Sequence, residues 1–484
     1  MRWTLAEVAG ALGVAAPAGL DPLAGVAGIS IDSRSIRAGE LFFAIHGPRH
    51  DGHTFVDAAL ARGALAAVVA RERLDGFPAA TREKLLGVAD TTAALGELAR
   101  AVRRRWGRRV AGVTGSVGKT TTKEILAALL GARFRVLKSE GNLNNEYGLP
   151  LMLSQLEETH EAAVLEMGMS RAGELARLAK IAEPDVGVVT RIAPVHLEFF
   201  SSLEEIAAAK RELIEGLTGK DSVAVLNADD PLVAGFRTAA PGRVVMFGAA
   251  SPADFRAEAI EDRGALGSAF QFVSPTERAR LEIPLAGRHA VTNVLAALAA
   301  ASVWGVGAAE AKRVFPQLRP ARMRGEVLRF DDGFALINDC YNSSPVALAA
   351  MIDLLASTPG YRRRILAAGE MLELGGTSPM LHREAGRLAA GTGKIDWIVG
   401  VQGNAQEIVS GAIAEGHSEK QARFFRSSEE AAKFIPGLVQ PGDLLLVKGS
   451  RGVKMERIVE ALLAVRAPLD VREDAGDTAG EARH

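Results

Sequence analysis

Residues 110–130 read VAGVTGSVGKTTTKEILAALL, and the reading of this stretch decides the fold class. Val110 to Val113 is a short apolar run, as a buried strand requires. Thr114-Gly115-Ser116-Val117-Gly118-Lys119-Thr120 is a glycine loop, and from Thr120 to Leu130 apolar residues recur at helical spacing. Strand, glycine loop and helix in that order form the setting in which backbone N–H groups and a helix N-terminus hold phosphate. In that setting Lys119 neutralises β- and γ-phosphates, and the Thr120 hydroxyl ligates magnesium. The general pattern places a glycine five residues before Gly118, where this chain has Val113. A strand-to-helix turn that holds no nucleotide is the alternative.

Outward from this stretch the pattern repeats. AAVLEMG (162–168), PDVGVVTRI (184–192) and DSVAVLN (221–227) read as buried strands separated by loops and helices. Such alternation predicts an α/β fold with a mainly parallel sheet. From about Pro320 a third section repeats it with RRILAAGEM (363–371), DWIVGVQG (396–403) and DLLLVKGS (443–450). Before residue 108, apolar runs at Leu41–Ile45 and Ala66–Ala70 alternate with turn-rich segments such as HGPRHDGH (46–53). Three domains are therefore expected, at 1–107, 108–318 and 319–467, with a polar, aperiodic and disordered tail at 468–484. Ligand sites in such sheets lie beyond the carboxyl ends of the strands, where this sequence places its glycines and charged residues.

At 484 residues the chain exceeds a single core, and a net charge of -1 argues against a general nucleic-acid binder. The local exception, Arg103, Arg104, Arg105, Arg108 and Arg109, is expected to be a solvated helix end at a domain junction rather than a phosphate-backbone patch. Cys340 is the one cysteine, which excludes an internal disulfide; it reads as a small core residue, since no base supports it as a nucleophile. No signal-peptide pattern and no membrane-length apolar run occurs, so a cytoplasmic protein without a membrane span is expected.

TGSVGKTTTKE (114–124) resembles the variant phosphate loop of the Mur ligase family, which carries Thr-Gly in place of the outer glycine. Similarity to that family continues in order through DSRSIRAGELFFAIHGPRHDGHTF (32–55), GNLNNEYGLPLML (141–153), LEMGMSRAGEL (165–175) and PDVGVVTRIAPVHLEFFSSLEEIAAAKREL (184–213). It resumes in GRHAVTNVLAALAA (287–300), DCYNSSP (339–345), GEMLELG (369–375) and VKGSRGVKME (447–456). The resemblance is nearest to the branch that adds D-alanyl-D-alanine, and the DNPR-type motif of the diaminopimelate-adding branch is absent. Arg191 and Ala290 stand where the family more often has Asn, and Glu370 where it has Asp.

The resemblance implies a small α/β UDP-binding domain, a central P-loop ATPase domain and a C-terminal Rossmann-like domain. It implies an ATP-dependent amide ligase that joins D-alanyl-D-alanine to UDP-N-acetylmuramoyl-tripeptide through an acyl phosphate. The products would be UDP-MurNAc-pentapeptide, ADP and phosphate, in peptidoglycan precursor synthesis. Two Mg2+ ions would be held by Thr120, Glu166, His196 and a carbamylated Lys210. Only a neutral amine takes up carbon dioxide, so the pocket must depress the pKa of Lys210.

ATP would be bound by Thr114, Gly115, Ser116, Val117, Gly118, Lys119, Thr120, Thr121, Asn293, Arg324 and Asp339. Lys119, Glu166, His196, Lys210 and Arg324 would be catalytic. Ser33, Arg34, Asp51, Gly52 and His53 match uridine-diphosphate contacts, and Tyr341, Asn342, Ser343 and Lys448 could shape the dipeptide pocket. Plainer readings stand beside these: a paired strand-end carboxylate for Glu166, a solvated helix lysine for Lys210, a helix cap for Asn293, a surface lysine for Lys448 and ordinary turns for the rest. A monomer is expected, whose domains close about hinge neighbours such as Gly325. The competing functions are another ligase of the superfamily (diaminopimelate- or lysine-adding, or folylpolyglutamate synthetase) and a non-catalytic nucleotide switch.

Overall fold

The structure is a computed structural model and describes residues 3–47, 50–195, 197–250 and 252–469; the tail expectation from residue 470 onward lies outside them. The chain divides into two compact units. One comprises the chain up to Ile192 with Glu204–Arg256 and Asn293–Glu310, the other Ala193–Leu203, Ala257–Thr292 and the described chain from Ala311.

In the first unit, α1 (Leu5–Ala11) starts at a reciprocal cap: Glu7 N donates to Thr4 Oγ1, and Thr4 N donates to the Glu7 carboxylate. Strands β1 (Gly28–Ser30), β2 (Glu40–Phe43), β3 (Ala66–Ala70) and β4 (Leu85–Val88) form a four-stranded parallel sheet in sequence order. Apolar side chains bury both of its faces: Leu41, Phe43, Ala66 and Val68 on one, Phe42, Ala67 and Val69 on the other. This two-sided burial is why these strands read as continuous apolar runs.

Helix α2 (Thr91–Trp106) begins where the Asp90 carboxylate accepts from Thr92 N and Ala93 N and ends at left-handed Gly107. Its last turns carry the arginine cluster. Arg103 is buried, not solvated: Nε donates to Ala182 O at 2.9 Å and Nη2 to Glu183 O at 3.0 Å. Arg100 and Arg104 both reach Glu183 Oε1, and Arg108 reaches His160 O. The cluster therefore fastens the first section of the sequence to the second, and the expectation of a fully solvated helix end is corrected for Arg103.

The stretch quoted first becomes β5 (Arg109–Thr114) and α3 (Lys119–Gly131). Strands β6 (Val136–Lys138), β7 (Ala162–Glu166), β8 (Val186–Val189), β9 (Val223–Asn227) and β10 (Arg243–Gly248) complete a parallel arrangement in the order β10-β9-β8-β5-β7-β6. Helices α4 (Glu174–Ala182) and α5 (Leu203–Glu215) are amphipathic, with Leu175, Leu178, Leu213 and Ile214 buried. Val113, which occupies the place of the expected outer glycine, is a buried strand residue paired with Glu166. The loop starts one residue later, so that position needs no glycine.

The second unit contains the antiparallel pair β11 (Ser268–Val273) and β12 (Arg278–Ile283). Helix α6 (Arg288–Ser302), whose residues from Asn293 onward belong to the first unit, carries His289 and Asn293 one turn apart. A six-stranded sheet is built from β13 (Glu326–Arg329), β14 (Ala335–Asp339), β15 (Arg363–Gly369), β16 (Trp397–Val401), β17 (Ala422–Phe425) and β18 (Asp443–Lys448). Its order is β13-β14-β18-β15-β16-β17, with β13 antiparallel to β14 and the other pairs parallel. Helices α7 (Pro345–Ser357), α8 (Ser378–Gly391) and α9 (Gln406–Ala414) pack apolar side chains against one face. Cys340 lies in the core of the opposite face, with Sγ 3.5 Å from Val447 O and its thiol pKa pushed up by burial. The core reading holds.

Candidate active site

The phosphate loop is shaped by contacts that leave no room at its glycines. Gly115 has φ +148°, and a Cβ there would lie 1.9 Å from Thr190 Oγ1. Gly118 has φ +87°, and its Cβ would lie 2.5 Å from Asn293 Oδ1. Backbone conformation and close approach both require glycine at each position.

Thr190 lies just past β8 and braces the loop: its N–H donates to Thr114 O, and its hydroxyl donates to Val117 O at 2.6 Å. Ser116 N donates to Arg191 O at 2.7 Å, a main-chain contact that any residue at 191 could supply. The Arg191 departure therefore leaves the loop intact. Thr114 Oγ1 donates to Met167 O, tying the loop's first residue to the end of β7. The Lys119 ammonium donates to Gly115 O at 2.8 Å and Ser116 O at 3.2 Å, so it stands over the loop. Thr121 occupies the first turn of α3, half-buried.

Glu166 ends β7 and is buried. Oε2 accepts from Thr120 Oγ1 at 2.7 Å, and Oε1 accepts from Asn144 Nδ2 at 2.8 Å. Its backbone N–H donates to Ser139 Oγ. These partners are neutral, so the reading of Glu166 as a carboxylate paired with a base is not what the structure has. A buried carboxylate beside a hydroxyl is a hard oxygen pair of the kind that Mg2+ takes. Among the described residues no three His, Cys, Asp or Glu side chains converge as a metal cluster. His196 lies outside the described residues.

Lys210 sits on the inner face of α5 and is buried, which excludes the solvated-lysine reading. Burial, and then the positive charge of Lys119, hold its pKa well below the ordinary lysine value. Asn293 is buried on α6 with its amide against Gly118, which places it at the loop. Ala290, the other departure on this helix, is buried and adds packing.

In the second unit, Asp339 and Lys448 end adjacent parallel strands in direct register. Lys448 is buried, donating to Asp339 Oδ2 at 2.6 Å and to Asn342 O at 2.9 Å, so it is not a surface lysine. The Arg324 guanidinium stacks over the Tyr341 ring at 4.0 Å from its centroid. Ser343 Oγ is buried with no hydrogen-bond partner among the described residues, and Ser344 caps α7. Glu370, the third departure, accepts from Asn404 N at 2.9 Å; a Cβ on Gly403 would lie 2.2 Å from its carboxylate oxygens.

In the N-terminal part, Asp51, Gly52 and His53 form one tight turn. His53 Nε2 accepts from Ala70 N at 2.9 Å, so Nδ1 carries the proton and donates to Asp51 Oδ1 at 2.6 Å. Gly52 packs so closely on Ile45 that a Cβ would lie 2.7 Å from its backbone. Arg34 is exposed and bidentate to Asp32, beside half-buried Ser33. Sequence reasoning missed Ser139, Asn144 and Thr190. The available signal was their place in loops after β6 and β8, at the carboxyl ends of the strands.

Three family descriptions match the chain: "Mur ligase family, catalytic domain" at residues 25–103, "Mur ligase middle domain" at 113–301, and "Mur ligase, glutamate ligase domain" at 323–451. The chain is 36% identical over 437 residues to UDP-N-acetylmuramoyl-tripeptide–D-alanyl-D-alanine ligase of Bacillus subtilis, a match covering 90% of this chain and 93% of that one. The crystal structure of MurF from Acinetobacter baumannii superposes with a TM-score of 0.85 at 31% identity, over 96% of this chain and 99% of that one. MurF ligase from Thermotoga maritima, in complex with ADP, gives 0.77 at 31% identity over 90% and 96%. The architecture is that of these three-domain α/β ligases. The chain belongs to the Mur ligase family.

Proposed function

We propose that the chain is an ATP-dependent ligase that joins D-alanyl-D-alanine to UDP-N-acetylmuramoyl-tripeptide, giving the UDP-MurNAc-pentapeptide, ADP and phosphate. The observation that carries this reading is the buried Thr120–Glu166 pair at the mouth of a phosphate loop, with Lys119 over the loop and Lys210 held at a depressed pKa. A switch needs the loop alone; the other groups suit phosphoryl transfer. The names of relatives at 36% and 31% identity support the dipeptide-adding reaction over its neighbours.

A carboxylate is a poor electrophile, so the tripeptide's terminal carboxylate oxygen attacks the γ-phosphorus and ADP leaves. The amine of D-alanyl-D-alanine then attacks the acyl carbon, loses a proton, and expels phosphate. Loop N–H groups and Lys119 stabilise the phosphate oxygens as charge shifts. Thr120 and Glu166 would hold Mg2+, with His196 and Lys210 supporting a second ion; the metal supplies charge neutralisation on the phosphates. A low Lys210 pKa supports carbamylation, since the neutral amine is the reactive form.

Thr114, Gly115, Ser116, Val117, Gly118, Thr121 and Asn293 are assigned to ATP, as are Arg324 and Asp339 of the second unit. Ser33, Arg34, Asp51, Gly52 and His53 are assigned to the uridine diphosphate, and Tyr341, Asn342, Ser343 and Lys448 to the dipeptide. For His53 the geometry supports a role in holding the turn, because both ring nitrogens are engaged within the protein. Domain limits at 107/108 and 318/319 remain our division, supported by the family matches that end and begin on either side of them. The reading carries a cytoplasmic monomer. Among the described residues no helix is long and apolar enough to cross a membrane.

The test is phosphate release with Mg-ATP and UDP-MurNAc-tripeptide, comparing D-alanyl-D-alanine, single amino acids and no amine. Release that requires the dipeptide, with the pentapeptide mass, is expected. Release with a single amino acid moves the assignment to a neighbouring ligase, and none with any amine overturns it.

A further inference from the structure

The loop after β15 is held from beneath by one histidine that neither the sequence motifs nor the reaction scheme uses. His382, on the second turn of α8, is completely buried. Its Nε2 lies 2.8 Å from Met371 N, and its Nδ1 lies 2.7 Å from Ser378 O. An N–H can only donate and a carbonyl can only accept, so the ring must be the neutral Nδ1–H tautomer to satisfy both. The carboxylates that face it are Glu370, at the end of β15, and Glu407 on α9, which is itself paired with Arg383. Asn404 Nδ2 donates to Ser378 Oγ and Asn404 N donates to Glu370 Oε1, so the ring sits inside a connected polar network.

What this histidine holds leads to the candidate substrate groups. Met371 begins the loop beyond the carboxyl end of β15, a strand flanked by β18 and β16. One residue on, Leu372 N donates to Ser450 Oγ at 3.0 Å, and Ser450 N donates back to Glu370 O at 3.2 Å. Ser450 is two residues past Lys448, whose ammonium spans Asp339 and Asn342 O. Three loops at the carboxyl end of the sheet are thereby tied in series, from His382 through Met371 and Ser450 to Lys448.

We propose that His382 is a positioning residue: by accepting from Met371 N–H it fixes the 370–374 loop and, through Ser450, sets the place of Lys448 for the dipeptide. The functional half rests on the assignment of Lys448 to the D-alanyl-D-alanine pocket; the clamp itself does not. A glutamine can still offer an oxygen to Met371 N–H, whereas a leucine offers nothing.

The experiment compares His382→Leu, His382→Gln and Ser450→Ala in the full chain, reading steady-state kinetics, ADP affinity and amide hydrogen exchange of the 370–374 segment. The expected result for His382→Leu is faster exchange there and a KM for D-alanyl-D-alanine raised roughly ten-fold, as for a lost buried hydrogen bond. ADP affinity, which rests chiefly on the phosphate loop, should change far less than that KM. His382→Gln should recover most of both effects, and Ser450→Ala should raise the same KM without altering the exchange of the Met371 amide.

Unchanged exchange in His382→Leu, or a loss spread equally over kcat, dipeptide KM and ADP affinity, overturns the proposal. If His382→Leu fails to fold, a Ser450→Ala protein with wild-type dipeptide KM overturns it instead. Should the wild-type chain show no ligase activity, the functional reading fails by itself, while exchange in the Leu and Gln variants still decides the clamp.

Discussion

Lys210 is the residue whose surroundings change its chemistry most. On sequence it is one more lysine in a helix; in the fold it is buried, with Lys119 as the cation that further lowers its pKa. The unfolded chain keeps the ordinary value of about 10.4. Between the depressed folded pKa and that value the unfolded state binds more protons, so this site makes stability rise with pH across that window. Lys210→Met removes the desolvation cost. We expect the variant to melt higher than wild type at pH 7, by about 2–4 °C per kcal/mol relieved, with the gap closing as pH rises toward 10. Phosphate release should fall at least ~100-fold, as for removal of a preorganised electrostatic group. Thermal melts across pH, with a phosphate-release assay, check both signs; a variant that melts lower at pH 7 and keeps its activity would contradict the assignment.

At the scale of elements, α2 shows how one helix end joins two parts of a unit. Arg103 satisfies carbonyls at the C-terminus of α4, which no intrahelical donor can reach. Arg103→Ala leaves Ala182 O and Glu183 O without that donor in a buried place. The expected cost is about 1–3 kcal/mol, read as a lower urea midpoint with unchanged m-value. Arg104→Ala, which removes an exposed ion pair with Glu183, should cost less than about 1 kcal/mol. Equal costs for the two would show that the buried carbonyl contacts do not matter. Elements were the most legible part of the sequence: β7, β15, β16 and β18 fall inside the apolar runs that announced them. The arginine cluster was legible as a junction but not as a buried one. The helix's own sequence does not contain the carbonyls that Arg103 serves, some eighty positions away along the chain.

For the whole molecule, the two compact units permit a ligand to be traced to the part that binds it. ADP seated on the phosphate loop stabilises the unit containing that loop by about 2.7 kcal/mol at one hundred times its Kd. Amide exchange should slow in β5 and α3 on adding ADP, and Lys119→Ala should abolish the effect. Slowing confined to the strands β14 to β18 would place the nucleotide elsewhere.

The sequence by itself determined the parallel α/β class, the phosphate loop, the order of the motifs and the family, because each is read from short stretches of neighbouring residues and from their order along the chain. Tertiary structure alone decided the rest. Gly115 and Gly118 are confined by Thr190 and Asn293, Glu166 is shared by Thr120 and Asn144, and Lys448 is buried against Asp339. His382 becomes a clamp only where α8 passes beneath Met371. A side chain's partners and its exposure depend on strands and helices brought together from distant parts of the chain. Hydrogen bonding and pKa follow those partners and not the residue type.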